Sequence, residues 1–258
     1  MYLFTVTMFP NEQNKKDGYE EFRGEQDWYF GALSKNGQIL ISSCNTVFED
    51  DTYKTFLLAP EQDSLDSKYA NKYVNEFYMK LMNLCIREPE IRIVGRSSDF
   101  ELSCNCVSPS WYMLYSDHTI TESPIVCGDC GRTVPLYKLP KILGEDEYYT
   151  VLGWQRAYNA CDNLFLEGIA ERMAYNRLSK PESDLSKEGR EICQAFENKT
   201  GKPFYYYLFR YYARYYSTKK QNCPICGSEW RLDEDNTTFI DYRCDNCRLV
   251  ADVVNRNR

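Results

Sequence analysis

Positions 1–100 alternate between short apolar runs and polar turns. Runs rich in β-forming residues fall at 2–8, 28–33, 38–42 and 54–58, and each predicts a strand. Lys35-Asn36-Gly37 predicts a hairpin turn between two of them, because Asn-Gly tolerates positive φ. Over 68–85 the period changes. Tyr73, Phe77, Leu81 and Leu84 recur at three and four, with Val74 and Tyr78 beside them, which predicts a helix. A strand at 91–94 follows, so this region should pack helix against sheet.

From about Thr150 the pattern is helical. Val151, Trp154, Tyr158, Cys161, Phe165, Ile169 and Met173 share one spacing, and Lys180-Pro181 ends the run. A second helix is predicted over 186–198, with Ile192 and Phe196 on one face and Gly201 at its end. Pro203 is placed to open a third helix. The class expected is α+β. Four segments are distinguished: an α+β region 1–100, a first cysteine module 101–148, a helical region 149–220 and a C-terminal cysteine module 221–258.

Composition narrows the chemistry. The chain has 258 residues, of which 43% are hydrophobic and 27% charged, so it can bury a core. No apolar stretch approaches the roughly 20 residues that a bilayer span needs. The N-terminus reads as a strand rather than a signal peptide. The expected setting is the reducing cytoplasm, where the 12 cysteines act as thiols or thiolates. One histidine makes histidine-based catalysis a poor premise.

The cysteines form two modules. Cys223-Pro-Ile-Cys226-Gly227 precedes Cys244-Asp-Asn-Cys247 in a C-x₂-C-x₁₇-C-x₂-C array, which is a zinc-ribbon spacing. Four thiolates satisfy Zn²⁺ at tetrahedral corners and leave no open position, so the metal should be structural. Gly227 lets the first turn close. Strands are predicted at 228–232, 237–243 and 249–253, with a turn at 233–236. The first module joins Cys104-Asn-Cys106 to Cys127-Gly-Asp-Cys130. It is read as a second zinc site, against a metal-free degenerate ribbon or a redox-active C-x₂-C. His118 lies inside its loop, either as a solvent-facing residue or as a replacement ligand. Cys44, Cys85, Cys161 and Cys193 stand alone and read as small buried hydrophobes. Two filled sites would take the formal charge from −7 to −11.

Charge is segregated along the chain. Residues 204–216 read FYYYLFRYYARYY, with nine aromatics in thirteen positions, and 199–220 carry six basic residues and no acidic one. Treated as a helix, the segment puts Tyr205, Leu208, Phe209, Tyr212 and Tyr216 on a core side. Tyr207, Arg210, Tyr211 and Arg214 fall opposite, and with Lys219 and Lys220 they form a candidate nucleic-acid surface. The competing reading buries both faces. Residues 1–198 carry a net −11, which suits an acidic module binding a basic protein, as immunity proteins do. No phosphate-binding, dinucleotide-binding or serine-hydrolase motif is present. The acidic clusters 49–51 and 145–147 read as solvated loops. No catalytic residue, small-molecule substrate or membrane partner is expected.

The C-terminal half resembles a known family. The run Thr200-Gly201-Lys202-Pro203, Tyr205-Tyr206-Tyr207-Leu208 and Arg210-Tyr211-Tyr212 leads into Cys223-Pro-Ile-Cys226-Gly227 and Trp230. Cys244-Asp-Asn-Cys247-Arg248-Leu249 closes it, and Trp154-Gln155-Arg156 and Leu185-Ser186-Lys187-Glu188-Gly189-Arg190 lie upstream. Together these are similar to an uncharacterised bacterial family of zinc-ribbon-containing proteins for which nucleic-acid binding is conjectured. The resemblance spans about 149–253. It implies zinc at Cys223, Cys226, Cys244 and Cys247.

Overall fold

A computed structural model describes residues 1–15, 19–210, 222–232 and 240–252. The chain forms two compact units, one of residues 1–103 and 135–149, the other of 104–134 and 150–258. The segment 101–148 is therefore divided between them. Among the described residues no helix is long and apolar enough to cross a membrane.

The first unit runs β1 (Tyr2–Pro10), α1 (Glu20–Lys35), β2 (Leu40–Glu49), β3 (Thr52–Ala59), α2 (Lys72–Met82) and β4 (Cys85–Arg96). Its sheet has the order β2-β3-β1-β4. All neighbours are antiparallel, with Phe4 opposite Leu57 and Val6 opposite Ile91. This βαββαβ arrangement is the ferredoxin-like one. Phe4, Val6 and Met8 alternate along β1 and bury against Phe22, Tyr29, Phe30 and Leu33 of α1. The Asn71 side chain caps α2 by accepting from the Val74 N–H at 2.9 Å.

Two expectations fail here. Residues 28–33 are not a strand but the second half of α1. The buried positions Phe22, Gln26, Tyr29, Phe30 and Leu33 follow the helical period, while Trp28 is 57% exposed and stacks on Phe77. A short apolar run does not by itself distinguish a strand from a helix, and here the upstream residues decide. Asn36-Gly37 accordingly terminates α1 rather than making a hairpin. The Asn36 N–H bonds to the Ala32 carbonyl at 2.9 Å, and Gly37 takes φ +77°. A Cβ at Gly37 would lie 2.6 Å from that of Leu136, in the segment that returns to this unit. That segment is tied down by the Tyr137 hydroxyl to Glu61 at 2.9 Å and by Lys141 Nζ to Asn36 at 2.5 Å.

The second unit holds β5 (Tyr112–Leu114), β6 (Ile125–Cys127), α3 (Tyr149–Leu166), α4 (Glu171–Ser179), α5 (Asp184–Thr200), β7 (Phe204–Tyr207), β8 (Tyr242–Cys244) and β9 (Leu249–Ala251). Tyr149, the first residue of α3, belongs by contact to the first unit. One five-stranded sheet orders them β6-β5-β7-β9-β8. Its three central strands are parallel, and each edge strand is antiparallel to its neighbour. The single helical run expected from 151 to 173 is broken after Leu166, where Gly168 and Ala170 take positive φ, and resumes as α4.

The third helix expected after Pro203 is instead the central strand, β7. Phe204, Tyr205, Tyr206 and Tyr207 are all buried. A parallel strand covered on both faces reads as an uninterrupted apolar run, and aromatic residues favour it. Phe204 and Tyr206 face the helices: Phe204 stacks on Phe196 at 5.0 Å, and Tyr206 meets Trp154 edge-on at 6.0 Å. Helix α5 approaches so closely that a Cβ at Gly189 would sit 2.3 Å from the Tyr206 ring. Tyr205 and Tyr207 face the other side. There they pack edge-on against Trp111 at 5.3 Å and Tyr115 at 4.8 Å, and their hydroxyls bond to Asp245 and Asp252.

Candidate metal centres

Cys104, Cys106, Cys127 and Cys130 form one group, and Cys223, Cys226, Cys244 and Cys247 another. Within each group the sulfurs all lie within 4.8 Å of one another. Cys226 Sγ is 3.6 Å from Cys244 Sγ. A metal about 2.3 Å from four tetrahedral thiolates requires sulfur–sulfur edges of about 3.8 Å. The separations, the donor set and the absence of disulfides among these residues suit a tetrahedral thiolate-bound ion. In each group two thiols are buried and at least one is exposed, so each centre sits at the rim of the fold.

The local chain explains the gathering. In the first group the Cys127 N–H bonds to the Arg132 carbonyl and the Gly131 N–H to the Cys127 carbonyl, both at 2.9 Å. The second group repeats this pattern from Cys223 to Ser228 and from Gly227 to Cys223, at 2.8 and 2.9 Å. Gly131 and Gly227 take φ +73° and +74°. The third knuckle has Arg248 in that place, at φ +51°, and pairs Cys244 with Leu249 across β8 and β9. The C-x-C pair cannot make such a turn. It is instead held by the Cys104 N–H on the Thr133 carbonyl at 2.8 Å and the Cys106 N–H on Cys104 Sγ at 3.4 Å.

The thiols are electrostatically uneven. Burial pushes Cys104 well above the ordinary thiol value. The Ser228 hydroxyl, followed by its N–H, pulls exposed Cys226 down to about 6. A divalent cation favours the thiolate form at every ligand and removes this unevenness.

An aromatic strut runs between the two groups. Gly128, inside the first knuckle, lies against Trp111, where an added Cβ would fall 2.0 Å from ring carbons. The Arg243 guanidinium lies 5.2 Å from the Trp111 ring and 4.6 Å from Tyr205, and the next residue is the ligand Cys244. These contacts, and the ion pair of Arg248 with Glu197 at 2.8 Å, carry no local sequence signature. Pairing of β5 with β7 and of β7 with β9 creates them.

The helical division into faces on which the expected nucleic-acid surface was drawn does not hold over 204–207, which is a strand. Tyr207 is a buried strand residue bonded to Asp252. The Arg210 guanidinium lies 5.1 Å from the Trp230 ring and 5.0 Å from that of Tyr242. Tyr211, Arg214, Lys219 and Lys220 lie outside the described residues. The strands expected at 228–232 and 237–243 are represented by bridges from Asn222 to Glu229 and from Arg231 to Tyr242, and by β8. Residues 233–239 are likewise outside the described ones. His118 is in neither cysteine group; its Nδ1 lies 3.1 Å from Asp162 Oδ2. The isolated thiols are free, and burial raises Cys44 and Cys85 to about 11.

Comparison with known proteins gives three matches to domains of unknown function. Residues 1–95 match DUF8589, 106–209 match DUF2310 and 214–255 match DUF8594. An uncharacterized protein of Haemophilus influenzae is 32% identical over 227 residues, covering 84% of this chain and 85% of that one. Another from the same organism is 34% identical over 167 residues, covering 63% and 80%. No solved structure matches the chain.

Proposed function

The chain belongs to the bacterial family that these Haemophilus influenzae proteins represent, and on that premise we propose that it is a non-enzymatic protein with two structural zinc ions that binds nucleic acid. The observation that carries the zinc half is the pair of four-thiolate groups at tetrahedral separations. With four thiolates each, neither centre has a position left for substrate, and the ions would serve folding. Zinc closes the loops that carry the two hairpins, β5 with β6 and β8 with β9, flanking the central strand β7.

The nucleic-acid half is supported by charge placement. The ribbon follows directly on the basic stretch 199–220. The second reading, an acidic module that neutralises a basic protein, is supported by the net −11 of residues 1–198.

Two measurements test the proposal. Elemental analysis of the purified chain should give two zinc ions per molecule; one or none would remove a centre. Fluorescence anisotropy of the zinc-loaded chain with labelled single-stranded and duplex DNA and RNA, at two salt concentrations, should show saturable binding that weakens steeply with salt. Absence of binding at low salt would reject the nucleic-acid half and favour a protein partner.

A further inference from the structure

Tyr207 is buried and Arg210 lies against the Trp230 and Tyr242 rings, so neither stands free for a ligand. Within the second unit a cavity of about 470 Å³ lies between α5 and the two C-terminal knuckles. That volume falls within the range of small-ligand sites. Lys187 and Arg190 stand on its α5 wall, one helical turn apart. Neither makes an ion pair among the described residues. The opposite wall is formed by the knuckle tips, with the Asn246 amide and the Ile225 side chain, which is 41% exposed. Gln194, whose Nε2 donates to Asn198 Oδ1 at 3.0 Å, adds a second amide from α5.

The carboxylates in the cavity differ in kind. Glu197 is taken up by Arg248 at 2.8 Å and by the Phe204 N–H at 3.3 Å, so it does not oppose an incoming anion as a free charge. Glu191 remains, beside two cations, and Cys247 brings the edge of the second cysteine group, a net −2 when filled, to the same wall. The groove thus offers cations for a phosphate, an apolar contact at Ile225, and amide and carboxylate groups of the kinds that read base edges. The paired and stacked bases of a duplex cannot enter a concave pocket, whereas an unstacked strand presents its bases whole.

We propose that this groove binds one nucleotide of a single-stranded nucleic acid, with Lys187 and Arg190 on its phosphate and Asn246 and Gln194 on its base. This rests on the nucleic-acid reading above and names its surface.

The test uses the full zinc-loaded chain and labelled ten-nucleotide single strands of DNA and RNA, by anisotropy at several salt concentrations. The variants are Lys187→Glu with Arg190→Glu, Asn246→Ala, and Arg23→Glu on α1 as a charge control. Zinc content and circular dichroism verify folding. The double variant should weaken binding more than tenfold and reduce the salt slope by about 0.7, the single-strand value for the one phosphate that both cations share. Asn246→Ala should weaken binding severalfold and alter base preference with little change in slope. Arg23→Glu should bind as the parent does. Equal binding by the parent and the double variant would overturn the groove while leaving the nucleic-acid reading intact. No binding by the parent would overturn both. A double variant that lost zinc would be replaced by Lys187→Gln with Arg190→Gln, for which the same slope change is required.

Discussion

The guanidinium of Arg248 grips the carboxylate of Glu197 from the side, with Nε at 2.9 and 3.1 Å from the two oxygens and Nη2 at 2.8 Å. Arg248 occupies the left-handed position that glycine fills in the other two knuckles. It holds that position while bonding the Asp245 carbonyl at 2.6 Å and lying 5.5 Å from the Tyr205 ring. An L-residue there costs about 1–2 kcal/mol, which the ion pair, made through two donor nitrogens, offsets.

Two substitutions separate strain from anchoring. Arg248→Gly should relieve the backbone and lose the anchor, whereas Arg248→Ala loses the anchor and keeps the strain. Alanine should therefore be the more destabilising in urea titrations of the zinc-loaded chain, by about 1 kcal/mol. Equal midpoints would show that the backbone at 248 is not strained.

Glu197 predicts an acid dependence. Its bond to Arg248 holds the carboxyl below its ordinary value. The pair's contribution is complete above the unfolded carboxylate range, near pH 4–5, and is lost as pH falls through the lower folded value. Glu197→Gln should flatten that part of the pH–stability curve. An unchanged curve would remove the pair from the acid response.

Lys141 predicts the opposite end of the scale. Burial lowers it from 10.5 to about 8. Between these values the unfolded chain binds the extra proton, so stability from this group rises with pH from about 8 to 10.5. Replacing it with methionine should abolish that rise, as read by thermal melts of the parent and Lys141→Met across the window. A rise that persisted would have to come from another group.

The strut from Gly128 to Arg243 predicts that the metal centres are coupled. Gly128→Val would force Trp111 aside, and Trp111→Ala would open a cavity worth about 3–5 kcal/mol. Either change should shift zinc release from both centres, read with a colorimetric chelator, although neither residue is a ligand. Release confined to one zinc would show that the sheet does not transmit the disturbance.

Some of this was legible along the chain. The gathering of the cysteines into two groups of four was, because a C-x₂-C turn is local and places two sulfurs side by side. The strand at β1, the helix α5 and its end at Gly201 were also legible, since alternation, period and caps act over a few residues. The misread elements were those whose sequence fits two conformations. Residues 28–33 and 204–207 are unbroken apolar runs, and a run without polar punctuation carries no period.

What the sequence by itself determined is therefore the α+β class and the pairing of the cysteines at each knuckle, since each follows from short-range geometry. Tertiary structure alone decided that FYYY is a strand, because its hydrogen-bond partners lie near positions 112 and 249. The same pairing set Trp111 under Arg243 and Arg248 on Glu197. Contacts between residues tens of positions apart depend on how strands assemble, and no local pattern encodes that.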